Sequence, residues 1–519
     1  MTTFEALLGL LLGAVLLAGL ARRVAVPYPV FLAVGGALLA FTPGAPAFAI
    51  EPHLALALFV APILLDAAYD ASPRDLRANW VPLVNLVVLS VAVTTAAVAV
   101  VVHALVPTIP WAAAIALGAI VAPPDATAAT AILRHVKPPH RILTILEGES
   151  LLNDASALLI YRLALGALAA STFSIRTVAP TLLVVVAGSV LAGRVFAWLV
   201  LRLTRDVRDV PTSIILQFIT TFGVWILAEQ IGLSGVLTMV SFALAVARPA
   251  SEITPARMRI PSYAVWDTAV FVLNVLAFVF IGLQIRPILA SLDLGVRERY
   301  LWVSGAVLLT VIVVRIAWAI LYYAMIRWRN RRLAAQQRAL RRVPPLRNVL
   351  VVGWSGMRGI VTLAAALAFP FSINGTAFPF RDLIVLTAFA VVLGTLVIQG
   401  LTLGPLLRAF NLSDDDPVER EISRAREHAL NAALATLDGL DSDAARAVRQ
   451  EFVSHLRQGR GETADREADH ERIHQSALAA ARHTIFEMRE RDEIGDDAFH
   501  RLEQDFDWME MANATGENL

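Results

Sequence analysis

Cysteine is absent from all 519 residues, which excludes disulfide bonds, thiol nucleophiles and cysteine-ligated metal centres. Lysine is nearly absent as well: Lys137 is the single one, so arginine carries almost all of the 44 basic charges. A net charge of +1 gives no reason to expect an acidic partner such as nucleic acid. The first apolar run, Phe4 to Leu20, lacks a basic leader and ends at Arg22-Arg23 without a small-residue cleavage site, so it reads as a retained membrane span. What the chain does have is hydrocarbon. It is 57% hydrophobic with a mean hydropathy of +0.64, and its apolar runs recur at about 20 residues, the length that crosses roughly 30 Å of lipid core. Only the end of the chain differs, being rich in Arg, Asp, Glu and His.

The expected fold class is an all-α polytopic membrane protein followed by a small helical tail, with domains at 1–410 and 411–519. Polar breaks delimit thirteen spans: roughly 4–20, 27–42, 53–70, 80–104, 111–133, 142–170, 177–203, 212–229, 232–248, 266–290, 301–326, 348–370 and 383–408. With the N-terminus outside, the loops holding Arg22/Arg23, Arg74/Arg77, Arg134/Lys137/Arg141, Arg202/Arg205/Arg208, Arg248/Arg257/Arg259 and the Arg327 to Arg347 cluster all fall inside. The opposite loops hold only Arg176, Arg286, Arg297, Arg299 and Arg381. The positive-inside rule then puts the N-terminus outside and the tail in the cytoplasm, with a cell inner (plasma) membrane as the location.

Six spans, a connector and six more would place the fifth and twelfth at equivalent positions of two halves with opposite topology, an inverted repeat. Both look broken. The fifth contains Pro123-Pro124-Asp125, whose prolines remove two amide donors and free the carbonyls of Ala119 and Ile120. The twelfth contains Gly353-Trp354-Ser355-Gly356-Met357-Arg358-Gly359, three glycines around a buried cation. The sixth holds Glu147-Gly148-Glu149-Ser150-Leu151-Leu152-Asn153-Asp154. Ionisable groups at membrane depth are costly and mark ion or proton paths. Positions four apart share a helix face, so Ser150 and Asp154 form one polar stripe and Glu149 and Asn153 the next. Asp154 and Ser150, with Asp125 and the carbonyls beside it, could assemble an oxygen cage for a hard cation, and a carboxylate holds either a cation or a proton. Arg315 and Arg358 are the counter-charges available to Glu149. The bland reading of each aspartate alone is a satisfied helix cap. Asp66, near a span end, could equally reach headgroups; Asp70 and Arg162 read as interfacial or helix-pairing residues, and Glu229 as a snorkelling span end.

These segments, with Ser234-Gly235-Val236-Leu237, Asn274 and Phe280-Ile281-Gly282-Leu283-Gln284, together resemble the sodium/proton exchangers of the NhaP and NHE branch of the monovalent cation/proton antiporters, over about residues 1–410. The resemblance implies a transporter rather than an enzyme, with Na+ and H+ as substrates, no cofactor, two broken helices that cross, and a homodimer. It further implies that Asp154 is the essential ion- and proton-binding carboxylate and Asn153 its neutral neighbour, an Asn-Asp pair that goes with electroneutral one-for-one exchange. Ser150, Asp125 and Asp66 would complete the cation site, Glu149 would pair with Arg315, and Arg358 would sit where the broken helices cross. Two positions depart from the family pattern. Pro124 stands where a threonine is common, which removes a hydroxyl ligand, and Asp66 stands where glutamate is usual, which shortens the reach to the ion.

Three other readings use the same residues. A K+/H+ antiporter of the same fold differs only in the cation; the potassium efflux systems commonly append a nucleotide-binding domain, and the tail has no strand-borne Gly-x-Gly-x-x-Gly pattern. An intramembrane aspartyl protease would use Tyr69-Asp70, but no span supplies the Gly-x-Gly-Asp partner. A passive channel needs a repeated carbonyl or acidic ring, which is missing. In the tail, Ile473, Leu478, Ile485 and Met488 trace an apolar stripe, and His470, His474, His483 and His500 read as solvated histidines or as a pH sensor.

Overall fold

The computed structural model describes residues 3–24, 27–42, 51–125, 128–130, 133, 138–169, 175–290, 292, 294–334, 344–373, 376–410, 412, 417–440 and 442–459, with scattered positions from 476 to 506. Arg134, Lys137, His470, Ile473, His474, Leu478 and His500 lie outside the described residues. The chain forms two compact units, 1–414 and 415–519.

Helices in the first unit are α1 (Thr3–Val24), α2 (Tyr28–Ala40), α3 (52–70), α4 (Pro73–Ala78), α5 (Trp80–Leu105), α6 (Trp111–Val121) and α7 (His140–Ala169). They continue as α8 (Ile175–Leu203), α9 (Val210–Gln230), α10 (Gly235–Ile253), α11 (Ala256–Leu283), α12 (Ile285–Ala290), α13 (Leu294–Ala334), α14 (Leu346–Trp354), α15 (Ile360–Leu367) and α16 (Arg381–Phe410). Among the described residues, seven helices are long and apolar enough to cross a bilayer, and four shorter apolar ones accompany them. Their outward faces carry Leu16, Leu183, Leu203 and Trp302 in exposed positions, as hydrocarbon contact requires. One element departs from an all-α reading: between α15 and α16 the chain makes a short hairpin, β1 (Ser372–Ile373) and β2 (Thr376–Ala377), with Ser372 opposite Ala377.

Prolines set many helix starts, because a ring-fixed φ suits the residue entering a helix and the missing N–H is lost nowhere else. Pro27, Pro110, Pro255 and Pro345 directly precede α2, α6, α11 and α14. At α9 the cap is a side chain: Asp209 accepts from the Thr212 hydroxyl at 2.6 Å and from its amide at 3.0 Å, which holds the Asp209 carboxyl below its ordinary range. Two helices widen into π-turns, Leu56–Val60 within α3 and Asn85–Ser90 within α5, a geometry found chiefly beside functional sites.

The unit has two principal apolar cores. One gathers α2, α3, α10 and α11 with the ends of α14 and α16; the other gathers α5, α6, α13, α15 and α16. Helix α7 joins both, giving Ile142, Leu146 and Leu151 to the first and Tyr161 and Ala164 to the second. At the opposite end from the α8–α9 turn, Arg162 of α7 donates to Glu229 at 2.6 Å, and Glu229 accepts from the Gly235 amide at 3.0 Å. Glu229 is therefore a helix-linking residue, and the snorkelling reading of it is corrected. In the second unit, α17 (Pro417–Thr436) packs on α18 (Asp443–Gly459), and Ile485 of the tail stripe is buried.

Helices α2 and α11 meet backbone to backbone. A Cβ on Gly282 would collide with the Ala33 carbonyl and the Ala37 amide, and one on Gly36 with the Val279 carbonyl. Small residues at a membrane helix contact allow this approach and the dispersion that goes with it. Gly282→Val is expected to force the helices apart and to cost about 1 to 3 kcal/mol or more, read as a lower melting temperature in detergent; an unchanged melting temperature would reject the close contact.

Candidate functional site

The two sequence breaks touch. Helix α6 stops at Val121 and the chain runs irregularly through Pro123-Pro124, while α14 stops at Trp354 and the chain runs irregularly until Ile360 starts α15. The Asp125 amide donates to the Met357 carbonyl at 2.6 Å, tying one break to the other. Arg358, fully buried, spans the junction: its Nε donates to the Val121 carbonyl at 3.0 Å, one Nη to the Ala122 carbonyl at 3.2 Å, and the other to the Gly356 carbonyl. Its amide donates to the Thr395 hydroxyl at 3.1 Å. A guanidinium has five donors and no acceptor, so it is suited to collect carbonyls that a broken helix leaves behind. Three carbonyls of the fifth-span break are engaged by side chains. Those of Val121 and Ala122 accept from Arg358, and that of Pro124 accepts from the Asn153 amide at 2.7 Å.

Glycine is required at two of these positions. A Cβ on Gly359 would fall on the Asp125 carboxylate, and one on Gly356 would strike the Arg315 side chain and lie 3.1 Å from Arg358. Two arginines therefore flank Gly356. Arg315, on α13, donates to both oxygens of Glu149 at 2.7 and 2.9 Å and to the Val352 carbonyl at 3.3 Å. Both partners are almost wholly buried, with 3% and 1% of their side chains exposed.

The two polar stripes of α7 thus have different surroundings. Glu149 and Asn153 face Arg315 and the Pro124 carbonyl. Ser150 and Asp154 line a cavity of about 40 Å³ together with Asp125, Asn274 and apolar residues that include Val60, Ile63 and Ile360. Asp154 is 8% exposed and has no hydrogen-bond or cationic partner among the described residues. A carboxylate so placed is stable only when a proton or a bound cation neutralises it. The cavity has room for a dehydrated ion or a few waters, since about 10–15 Å³ of space open to a water's centre holds one water. The widened turn of α5 is fastened beside the site by Ser156, whose hydroxyl donates to the Val87 carbonyl at 2.7 Å, and by Trp318, which donates to Asn85 at 3.1 Å.

Asp66 stands elsewhere. It lines a second cavity of about 810 Å³ with Tyr69, Asp70, Arg205, Arg208 and Gln217, while its neighbours Ile63 and Leu64 line the small one. Asp70 is exposed and lines that same second cavity rather than the one that holds Asp154. Asn274 shares the small cavity but was read only as part of a motif, and Thr395 was missed altogether. A single polar residue in a long apolar helix gives a sequence reading nothing to grip.

A helical membrane protein with two broken helices crossing beside a buried carboxylate has the build of a secondary transporter. Residues 9–409 match the family model described as sodium/hydrogen exchanger, transmembrane, and the chain belongs to that family of transporters. It is 29% identical over 508 residues to the sodium, potassium, lithium and rubidium/H(+) antiporter of Bacillus subtilis (strain 168), covering 94% of this chain and 75% of that one. It is 28% identical over 531 residues to the uncharacterized Na(+)/H(+) exchanger YjcE of Escherichia coli (strain K12), covering 95% and 96%. Its fold is similar to that of the sodium proton antiporter MjNhaP1 from Methanocaldococcus jannaschii, with a TM-score of 0.61 at 17% identity over 79% of this chain and 99% of that one.

Removing either member of the Glu149–Arg315 pair leaves a buried charge alone. Glu149→Gln and Arg315→Leu are each expected to cost about 3 to 5 kcal/mol, while the double apolar replacement Glu149→Leu/Arg315→Leu recovers much of that loss. Thermal melts of the purified variants test this, and unchanged stability of both single variants would contradict it.

Proposed function

We propose that the chain exchanges a monovalent cation for a proton by alternating access, with Asp154 holding one or the other and presenting it to each side in turn. The observation that carries this reading is the buried Asp154 carboxylate, without a cationic partner among the described residues, on the wall of a cavity sized for a bare ion. Because a single carboxylate serves both, the cation and the proton compete, and competition is the coupling. Asp125 and Ser150 supply further oxygens, with Asp66 receiving the cation in the larger cavity on its way to or from the site. Asn153 and Pro124 shape the break by their mutual hydrogen bond, Glu149 and Arg315 fix α7, and Arg358 holds the crossing together. The cation is Na+ by family. The name of the Bacillus subtilis relative extends the candidates to K+, Li+ and Rb+.

Thirteen spans arranged as an inverted repeat, a homodimer in the plasma membrane, an outside N-terminus and a cytoplasmic tail after about residue 410 complete the proposal. The positive-inside pattern supports the orientation. The two cavities fit an inward-open state: the large one is bordered by the α8–α9 turn with Arg205 and Arg208, while Arg162 and Glu229 are joined at the other end. The protease alternative is set aside, since the family is one of transporters.

Asp154→Asn is expected to abolish exchange while the protein stays folded, because an amide neither releases a proton at working pH nor neutralises a cation. Cation-induced dequenching of a pH dye in everted vesicles, with sodium, lithium and potassium in turn, measures both the loss and the selectivity of the parent. Substantial exchange by the variant would overturn the assignment. One carboxylate exchanging one charge for one charge moves no net charge, so a potassium-diffusion potential imposed on proteoliposomes is expected to leave the rate of the native protein unchanged. Potential-driven turnover would instead require a second titrating acid, with Asp125 the first to test.

A further inference from the structure

The larger cavity has a feature that cation exchange does not use. The α8–α9 turn carries Arg205, Asp206, Arg208 and Asp209, yet of these four charges only the two arginines line the cavity. Asp209 is turned to Thr212 as the cap of α9. Arg257, in the first turn of α11, lines the cavity from the facing element. None of Arg205, Arg208 and Arg257 has a hydrogen-bond or ion-pair partner among the described residues. Arg257 is also at the wrong end of its helix, where exposed amides favour negative charge; the first turn of α11 contains no acid, and its cap, Pro255, offers no side-chain acceptor. Of the three acids that line the cavity, Asp267 is about 15 Å beyond Arg257 on α11 at 1.5 Å per residue, while Asp66 and Asp70, like the fourth arginine of the lining, Arg259, have partners other than these three arginines. Along the chain, Leu203 precedes Arg205 by two residues and Ile260 follows Arg257 by three, and Ile215 and Ile219 lie one turn apart in the first half of α9; all four expose apolar side chains on membrane-length helices.

We propose that these three arginines bind the phosphate-bearing headgroup of an anionic phospholipid whose acyl chains lie along Leu203, Ile215 and Ile219. Basic pockets between membrane helices at the arginine-rich face bind such headgroups, and each basic residue there contributes to the attraction. The committed occupant is a lipid rather than free phosphate, because the helices that carry the arginines are of membrane length and expose apolar side chains that phosphate alone would leave unused. The headgroup has a consequence for transport that rests on the exchange reading above. A cation entering the large cavity passes these three unpartnered arginines as well as Arg259, and a bound phosphodiester offsets part of that charge, lowering the barrier to entry.

The binding test uses the purified full chain in detergent, followed by tryptophan fluorescence on heating, with phosphatidylglycerol, phosphatidylcholine or inorganic phosphate added. Phosphatidylglycerol in large excess is expected to raise the melting temperature by about 5 °C, and phosphatidylcholine and phosphate to leave it unchanged. The Arg205→Gln/Arg208→Gln/Arg257→Gln variant, altered only at exposed and unpartnered side chains, should melt like the parent without lipid and lose the shift. If the triple variant fails to fold, each single variant should lose part of the shift. A full shift retained by the variants, or an equal shift with inorganic phosphate, overturns the lipid site. In proteoliposomes, adding phosphatidylglycerol to phosphatidylcholine should lower the apparent KM for the cation more for the parent than for the triple variant, which shares only the general surface-potential effect. Equal lowering in both refutes the barrier role. Absence of exchange in every liposome would instead count against the exchange reading, and the melting result would still decide the binding site.

Discussion

One guanidinium holds the centre of this molecule. Breaking two membrane helices leaves carbonyls without intrahelical donors at a depth where water cannot serve them, and each unsatisfied group there costs several kcal/mol. Arg358 answers that cost from the side of one break by donating to Val121 and Ala122 of the other, and to its own Gly356. Its charge is spread over carbonyl dipoles rather than matched to a carboxylate. This leaves Asp154 without a positive partner among the described residues, the condition that the proposed ion binding at that position needs. Had Arg358 faced Asp154 directly, the carboxylate would be permanently neutralised and of no use to a travelling ion.

Around that junction, the acidic residues divide the work by their place on α7. The stripe with Glu149 and Asn153 is fully engaged, by a two-pronged arginine contact and by the Pro124 carbonyl. The stripe with Ser150 and Asp154 opens onto a small cavity. A paired carboxylate and one without a cationic partner among the described residues thus sit on adjacent stripes of one helix. The glycines make the arrangement sterically possible: Gly356 admits two arginines side by side, and Gly359 admits the Asp125 carboxylate.

Much of this was legible before any coordinates. The paired prolines and the glycine-rich run announce breaks because they act on the backbone locally, and carboxylates in an apolar run stand out by their cost. The four-residue spacing on α7 separates its two stripes by helix geometry alone. Partner identity is another matter. That Arg315 meets Glu149 was suggested by family resemblance, since residues 166 apart in sequence carry no local signal of contact. That the Val121 and Ala122 carbonyls meet Arg358 was not legible, because sequence cannot say which neighbouring side chains will reach into a break. Asp66 lines a different cavity from Leu64, two residues earlier, a distinction set by a rotation of about 200° along the helix. The short hairpin at Ser372–Ala377 was invisible for a similar reason: two paired residues on each side are too few to form a pattern.

Helix α7 runs for 30 residues from His140 to Ala169 without a proline and is gripped at two heights, with Asp154 between them. Glu149 is held by Arg315, Asp154 faces the cavity, and Arg162 reaches Glu229. An unbroken helix of this length behaves as a stiff rod of about 45 Å. A rod has no private motions: tilting or sliding it enough to separate Arg162 from Glu229 must also displace Asp154, some 12 Å along the same axis. The separation of a pair of exposed side chains at one end is therefore a gauge of where the buried carboxylate stands. In a chain free of cysteine, two introduced cysteines at that end would carry distance probes with no competing label elsewhere.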